Sequence, residues 1–286
     1  MGVVFILISG AAFGLLPWFA RIAYNHGAEP LGMLAVRFLI ASFVLVVVSL
    51  VRRTNKARPH GVLAWQLFAL GAIGYAPQAS FYFFSVQRID ISLATIIFYT
   101  YPVFVVLASW VFLRHRPSVR VISCLAVAVI GAALTAGQVQ AGSISGVLFM
   151  FGASLWYTGY IVLSSRVVHI AGAFTSLTYV MVGAAVAHGA VYLVVHPNVP
   201  TDGTGWLAIA AASIIGTVLS MGFFFAGVSR VGPGEAAVLS TIEPVVSIAV
   251  GVLALNEQVT GFRLLGAALV LVSVAVLAQF SRADTK

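Results

Sequence analysis

The sequence predicts an all-α integral membrane protein with ten transmembrane helices, arranged as two five-helix repeats of inverted topology. Three observations support this prediction. Hydrophobic residues make up 61% of the chain and charged residues only 8%, whereas soluble domains usually carry about 25% charged residues. The apolar residues form long continuous runs. A stretch that begins at residue 81 also recurs, with substitutions, 142 residues later.

The apolar runs have the length of membrane-spanning helices. A hydrocarbon core of about 30 Å is crossed by about 20 apolar residues in a helix. Strands of a membrane barrel would alternate apolar and polar residues, and these runs do not. We therefore expect spans at 2–24, 31–51, 61–86, 91–113, 119–137, 144–165, 173–195, 205–228, 234–255 and 260–280. They divide into a first repeat (1–138), a second repeat (142–280) and a tail (281–286).

The positive charges are distributed unevenly between the predicted loops. The second and fourth loops carry Arg52, Arg53, Lys56, Arg58, Arg114, Arg116 and Arg120. The opposite face carries only Arg21, Arg37, Arg88 and Arg263. By the positive-inside rule, both termini are expected in the cytoplasm. The net charge of +8 is thus explained by topology, and we do not expect a nucleic-acid partner.

The repeated stretches are "FYFFSVQRIDISLATIIFYTYPV" (81–103) and "FFFAGVSRVGPGEAAVLSTIEPV" (223–245). Arg88 aligns with Arg230, and Pro102 aligns with Pro244. Because each half has an odd number of spans, the second half is expected to cross the membrane in the opposite sense. Secondary transporters commonly have this architecture, with a substrate site between the repeats near the midplane. The alternative is an old duplication retained for packing alone.

Two further stretches resemble the EamA-type members of the drug/metabolite transporter superfamily. "LAVRFLIASFVLVV" (34–47) resembles their second helix, and "STIEPVVSIAVGVLALNEQVTGFRLLGAALVLVSV" (240–274) resembles their ninth and tenth. The first repeat departs from the family at "FLRHRPS", where His115 replaces the usual glutamate. The length, the ten spans and the aromatic interior are similar to amino-acid exporters of the YddG type. That resemblance implies export of neutral and aromatic amino acids from a bacterial cytoplasm.

Polar aromatic and amide side chains within the spans are the candidate substrate-binding residues. They are Gln78 and Tyr82 of the third span, Tyr99 and Tyr101 of the fourth, and Trp156 and Tyr160 of the sixth. The members of the first and last pairs are four residues apart, so each pair shares a helix face. Aromatic walls with a few polar groups suit a solute that has an apolar side chain. Ordinary membrane packing is the alternative interpretation.

Three ionisable residues within the predicted spans are candidates for function, because such groups are costly there and usually face a cavity or a partner. Glu243, before Pro244 in the ninth span, is interpreted as a proton-coupling acid or an amine partner, or else as a structural acid. His188 is a candidate proton relay, or a neutral side chain hydrogen-bonded between helices. Arg37 is expected to extend to the outer interface, and the alternative is that it holds a gate or attracts a carboxylate.

Several proline and glycine residues are candidate hinges. Pro17 is expected to bend the first span, just after the Gly-x-x-x-Gly at 10–14, which favours close helix approach. Pro102 and Pro244 are expected to kink the fourth and ninth spans. Gly232 begins a loop that can absorb backbone rotation during gating. The predicted cavity lies between spans 1, 3, 4, 6, 8 and 9.

The motifs of several other protein classes are absent from the sequence. It contains no Walker motif or H-E-x-x-H and no potassium-filter sequence. Cys124 is the only cysteine, so it cannot form an intrachain disulfide. We therefore expect neither an enzyme nor a cofactor.

The resulting functional hypothesis is a secondary exporter of neutral amino acids in a bacterial inner membrane, working by alternating access. Its expected partners are the amino-acid substrate, the lipid bilayer and protons. The first rival is an exporter of another solute, such as a cationic drug or a purine. The second is a lipid-carrier flippase or a scaffold without transport activity. The oligomeric state stays open, because lipid-facing and partner-facing surfaces are both apolar.

Overall fold

A computed structural model describes the chain over residues 1–51, 59–101, 104–105, 107–108, 119–136, 144–164, 167–231, 239–240, 242–258 and 260–283. Within these ranges the protein is helical and contains no strand. The predicted all-α class is confirmed. Pro102, Gly232 and His115, which the sequence singled out, lie outside the described residues.

The described helices fall largely within the predicted spans. Those of the first half are α1 Gly2–Gly14, α2 Leu16–Asn25, α3 Pro30–Val51, α4 Val62–Ala69, α5 Ala76–Arg88, α6 Ile91–Phe98 and α7 Val119–Ala136. Those of the second half are α8 Ile144–Ser164, α9 Val168–Ala171, α10 Ala173–Val195, α11 Gly203–Ser213, α12 Ser220–Val231, α13 Ile242–Leu255 and α14 Gly261–Ala283. Two π-helical segments, Leu70–Tyr75 and Ile214–Leu219, join α4 to α5 and α11 to α12.

Several of these elements are long and apolar enough to cross a membrane. Five described stretches meet that condition: Gly2–Asn25, Pro30–Val51, Ile144–Ser164, Ala173–Val195 and Gly203–Val228. The helix α13 is a shorter apolar helix. Their number and composition are those of a multi-pass membrane protein.

Large apolar side chains cover the outside of the bundle. Leu39 is 64% exposed, Phe43 69% and Leu253 82%. Phe38, next to Leu39 on the same helix, is completely buried. Because both faces of α3 are apolar, one face packs against protein and the other suits contact with lipid chains.

The first span is interrupted, and its small residues pack against the ninth span. It breaks at Leu15, and Pro17 lies in the first turn of α2, where its missing N–H costs no helical hydrogen bond. A Cβ atom at Gly14 would lie 2.7 Å from the Glu243 carbonyl oxygen. The absence of a side chain at Gly14 therefore allows α1 to approach the backbone of α13 closely.

One contact between the two halves of the chain occurs twice, with the arginine in the first half once and in the second half once. The Arg88 guanidinium lies over the ring of Phe149 at 5.0 Å, and that of Arg230 lies over the ring of Phe5 at 5.1 Å. Each arginine also donates a hydrogen bond to a carbonyl one turn earlier in its own helix. The arginines are thus related by the offset of 142 residues, and their ring partners by 144.

Candidate functional site

Aromatic rings from four spans form a continuous circuit of contacts in the interior. The rings of Phe38, Tyr75, Tyr160, Tyr157, Tyr101, Phe98, Tyr82 and Phe83 follow one another with centroids 4.9–5.8 Å apart. The Arg37 guanidinium completes the circuit, because it lies 5.2 Å from the Phe83 ring centroid and 4.9 Å from that of Phe38. We call these nine residues the aromatic circuit. Offset and edge-to-face ring pairs of this kind stabilise one another by about 0.5–1.5 kcal/mol beyond simple burial.

The circuit contains some of the residues that the sequence analysis selected. Tyr82, Tyr101 and Tyr160 are members, and the ring of Tyr99 lies 6.1 Å from that of Tyr101. The sequence analysis missed Tyr157, which stacks on Tyr160 at 5.8 Å. Their spacing of three residues places both on one helix face, so this signal was available in the sequence.

The structure places Trp156 differently from the expected cavity wall. The side chain is 42% exposed, and its indole Nε1 donates a hydrogen bond of 3.0 Å to the Ile73 carbonyl. Ile73 lies in the π-helical segment Leu70–Tyr75, just before Pro77, which has no N–H to donate. Trp156 therefore supplies a donor to the third span from the outside, while its neighbour Tyr157 faces the circuit.

Gln78 and His188 are buried, with 5% and 3% exposure. His188 Nε2 lies 3.0 Å from Ser80 Oγ, its Nδ1 lies 3.1 Å from the Ala184 carbonyl, and its ring contacts that of Phe38 at 5.0 Å. With Nδ1–H donating to Ala184, Nε2 can accept the single hydroxyl proton of Ser80, which otherwise goes to the Ala76 carbonyl at 3.1 Å. This geometry matches the alternative interpretation of His188, a neutral side chain hydrogen-bonded between helices.

The fourth and ninth spans are both interrupted near the circuit. The helix α6 ends at Phe98, and a turn follows at Tyr99 and Thr100. The helix α13 begins only at Ile242, after a turn at Ser240. Pro244 therefore lies in the first turn of a helix, which corrects the expectation of a kink inside a continuous helix. A first turn tolerates proline because its amide groups have no partner within the helix.

Glu243 occupies that same first turn of α13. Unpaired N–H groups at a helix start favour a negative side chain there. The hydroxyl of Tyr99 lies close to the carboxylate, and the phenols of Tyr82 and Tyr101 lie within its electrostatic reach. The Glu243 carboxylate thus lies at the start of α13 and near three tyrosines, two of which belong to the circuit.

Arg37 does not extend to the interface, contrary to expectation. The residue is 1% exposed, and its Nε donates a 3.0 Å hydrogen bond to Thr217 Oγ1 in the second π segment. The Thr217 hydroxyl donates in turn to the Ala212 carbonyl at 3.1 Å. Arg37 is directed inward because the neighbouring rings and Thr217 form a complete interior environment for its Nε and its side-chain stem.

Glu257, two residues after the end of α13, has a structural role that the sequence did not reveal. Its carboxylate accepts hydrogen bonds from the Ile91 amide at 2.6 Å and the Ser92 amide at 3.0 Å. The Ser92 hydroxyl also donates to it at 2.6 Å. A carboxylate that accepts from the first amides of a helix stabilises the helix start. Glu257 thus joins the connection after α13 to the beginning of α6.

The loops 26–29 and 196–202 are joined at one end of the bundle. His26 Nδ1 lies 2.6 Å from Asp202 Oδ2, and Asn198 Nδ2 donates to Glu29 Oε1 at 3.1 Å. Asp202 also begins α11 by accepting from the Gly205 amide at 2.9 Å. Hydrogen bonds from Gly205 and His26 lower the pKa of Asp202 below its ordinary value of 3.8.

Comparison with known proteins gives several matches over nearly the whole chain. The chain is 24% identical over 277 residues to "Uncharacterized transporter YcbK" of Bacillus subtilis (strain 168), covering 93% of this chain and 88% of that protein. It is 22% identical over 314 residues to "Uncharacterized transporter sll1319" of Synechocystis sp. (strain ATCC 27184 / PCC 6803 / Kazusa), covering 97% and 93%. A solved structure described as "Crystal structure of protein" superposes with a TM-score of 0.68 at 18% identity, over 100% of this chain and 99% of that one.

The sequence profile of the EamA-like transporter family matches the chain twice, at residues 1–137 and at residues 144–279. Together the two matches include nearly every residue and every element described above. The resemblance noted in the sequence is confirmed. The protein belongs to the EamA-like transporter family.

Proposed function

We propose that this membrane transporter is a secondary carrier that exports neutral amino acids, including aromatic ones, from the cytoplasm by alternating access. The observation that carries the proposal is the position of Glu243 beside Tyr99 and the aromatic circuit. A carboxylate can accept the ammonium group of an amino acid, and ring faces can accept its apolar side chain. Protons enter the proposal as the coupling ion through the same carboxylate.

The proposed architecture is ten spans in two inverted repeats, 1–138 and 142–280, with a cytoplasmic tail at 281–286. It is supported by the two successive matches of one family profile and by the repeated arginine–ring contact. Two glycines, Gly2 and Gly146, also occupy matching positions, each against the arginine of the other half. A Cβ atom at Gly2 would lie 2.8 Å from Arg230 Cβ, and one at Gly146 would lie 3.0 Å from Arg88 Cβ.

The loop contacts support the proposed number of spans. Ten spans place the loops after spans one, three, seven and nine on a single side of the membrane. His26, in the loop after span one, pairs with Asp202, in the loop after span seven. Glu257, in the loop after span nine, accepts a hydrogen bond from the amide of Ile91, which follows the loop after span three. With the termini in the cytoplasm of a bacterial cell, this side of the inner membrane is the outer one.

Alternating access is supported by the interruptions of the fourth and ninth spans. Transporters commonly bind their substrate where two helices of opposite repeats are discontinuous. Pro17 and Pro244 lie at such interruptions, and Pro102 and Gly232 remain proposed hinges from the sequence. Rotation about these points would expose the aromatic circuit to one side of the membrane and then to the other.

The proposal is tested by counterflow of labelled amino acids into proteoliposomes that contain the purified protein and no imposed gradient. We expect accumulation of labelled phenylalanine and competition by tyrosine, tryptophan and methionine, with little effect of lysine or glutamate. Flux of a cationic dye or a purine alone would assign the protein to the first rival. No flux of any solute would favour a flippase or a scaffold.

Topology is tested separately by single cysteines in a Cys124→Ser background. Thr201→Cys in the 196–202 loop is expected to react with an impermeant maleimide from outside whole cells. His60→Cys in the second loop is expected to react only after the membrane is permeabilised. Labelling of both from the same side would contradict the proposed orientation.

A further inference from the structure

Arg37 is a buried cation with an unused hydrogen-bond donor. Nε is occupied by Thr217, but Nη2 is buried and has no hydrogen-bond partner. The phenol of Tyr75 lies close to the guanidinium, and those of Tyr24 and Tyr82 lie within its electrostatic reach. No carboxylate of a described residue forms an ion pair with it.

An isolated buried charge is strongly unfavourable unless it is paired and hydrogen-bonded. The ring faces of Phe38 and Phe83 and the Thr217 hydroxyl stabilise the cation only in part, because neither provides a negative charge. Guanidinium presents a planar fork of donors that matches the two oxygens of a carboxylate. The unused donor of Arg37 therefore has the chemistry to accept an anion from outside the chain.

Arg37 on α3 and Glu243 on α13 both act on the same tyrosine, Tyr82. The phenol of Tyr82 lies within electrostatic reach of both the Arg37 cation and the Glu243 carboxylate. Between α3 and α13 the structure thus provides a positive group and a negative group, joined by the rings of the aromatic circuit. An α-amino acid carries a carboxylate and an ammonium group on its α-carbon, together with an apolar side chain.

We propose that Arg37 binds the α-carboxylate of the transported molecule, while Thr217 positions the guanidinium. This inference rests on the proposed amino-acid transport and specifies its substrate class as molecules with a free carboxylate. The α-carboxylate accepts from the Arg37 guanidinium, and the apolar side chain of the substrate packs against the rings of the aromatic circuit. Amines that lack the carboxylate leave Arg37 unpaired in the interior and are poor substrates for that reason.

The first test uses the wild-type protein and three solutes that differ only at the carboxylate. Counterflow of labelled phenylalanine is competed with unlabelled phenylalanine, phenylalaninamide or phenethylamine. We expect the half-inhibitory concentrations of the amide and the amine to be at least tenfold higher than that of phenylalanine. Equal competition by all three would overturn the role of Arg37 and leave amino-acid transport intact.

The second test removes the charge. Arg37→Gln is expected to reduce phenylalanine counterflow at least tenfold and to abolish the discrimination against phenylalaninamide. Arg37→Lys keeps the charge without the planar fork and should recover only part of the activity. Thr217→Val should raise the half-saturating concentration less than Arg37→Gln does. Retained discrimination in a monodisperse Arg37→Gln protein would overturn the proposal.

A binding measurement separates this inference from the failure of transport itself. Phenylacetate is expected to raise the thermal unfolding midpoint of the wild-type protein in detergent, and phenethylamine is expected to raise it less. The shift caused by phenylacetate should disappear in Arg37→Gln. If phenylalanine is not transported but this pattern holds, the anion site stands and the proposed transport function fails. If phenylacetate causes no shift in the wild-type protein, the anion site is wrong.

Discussion

The carbonyl groups of Tyr101 and Glu243 both face the first helix of the opposite half. Thr158 Oγ1 lies 3.4 Å from the Tyr101 carbonyl and shares its proton between that oxygen and the Ser154 carbonyl at 3.0 Å, and Gly14 lies against the Glu243 carbonyl. Tyr101 and Glu243 are separated by 142 residues, and Gly14 and Thr158 by 144. At equivalent positions, the first half therefore has the phenol of Tyr101 and the second half has the carboxylate of Glu243. The acid is found on one side of the site only.

Glu243→Gln is expected to reduce counterflow of phenylalanine at least tenfold, which corresponds to about 1.4 kcal/mol. The amide keeps the size of the side chain but removes the negative charge that balances an ammonium group. Glu29→Gln, which removes the same charge from an exposed residue of the 26–29 loop, serves as the control. Equal rates in the Glu243→Gln and Glu29→Gln proteins would show that Glu243 has no part in binding or coupling.

Tyr157→Ala is expected to raise the half-saturating concentration of phenylalanine about tenfold. Its ring contacts those of Tyr101, Phe98 and Tyr160, and each such contact contributes about 0.5–1.5 kcal/mol. Leu155→Ala removes an apolar side chain two residues away that is 53% exposed on the outside of the bundle. An equal effect of the two substitutions on phenylalanine affinity would place the site elsewhere.

Gly14→Ala is expected to destabilise the packing of α1 against α13. The new Cβ atom would lie 2.7 Å from the Glu243 carbonyl oxygen and 2.8 Å from Val246 Cβ, and overpacking of this kind costs about 1–3 kcal/mol. Gly159→Ala is the matched control, because its Cβ would meet nothing within 4 Å. Thermal unfolding in detergent should show a lower midpoint for Gly14→Ala and an unchanged or higher midpoint for Gly159→Ala.

Glu257→Ala is expected to lower the free energy of unfolding by about 1–3 kcal/mol, because hydrogen bonds to a charged acceptor are lost at the start of α6. The Ile91 and Ser92 amides would lose their acceptor. Glu257→Gln retains an acceptor oxygen and should be less destabilised. Intrinsic tryptophan fluorescence during heating measures the unfolding midpoints, which should fall in the order wild type, Glu257→Gln, Glu257→Ala. An alanine variant as stable as wild type would show that solvent satisfies these amides equally well.

Asp202 makes a pH-dependent contribution to the joined loops. Because its pKa is lowered in the folded protein, its charged form stabilises the fold fully above the ordinary value of 3.8. That contribution is lost as pH falls through the lowered value. Asp202→Asn should therefore unfold at a lower temperature than wild type at pH 7 and pH 5. The difference should shrink as the pH falls below 3.8. A constant difference across this range would exclude a contribution from the charge.

The sequence was sufficient to predict the class of protein and its family, for a direct physical reason. A chain with 8% charged residues and long apolar runs is stable only where water is excluded, and helices satisfy their own backbone hydrogen bonds there. Tyr82, Tyr99, Tyr101, Tyr160 and Glu243 were selected because polar groups in such runs are costly and need partners.

Tertiary structure alone decided which faces of the spans are interior. In a soluble helix the polar face marks the surface, but lipid and protein interior are both apolar, so hydrophobic periodicity does not separate them. For this reason Trp156 was expected inside and lies outside, while its neighbour Tyr157 was missed. Arg37 was expected at the interface but is buried. Its burial depends on Thr217, which lies 180 residues further along the chain. Glu257 similarly finds its partners 165 and 166 residues away, and no local pattern predicts contacts of that range.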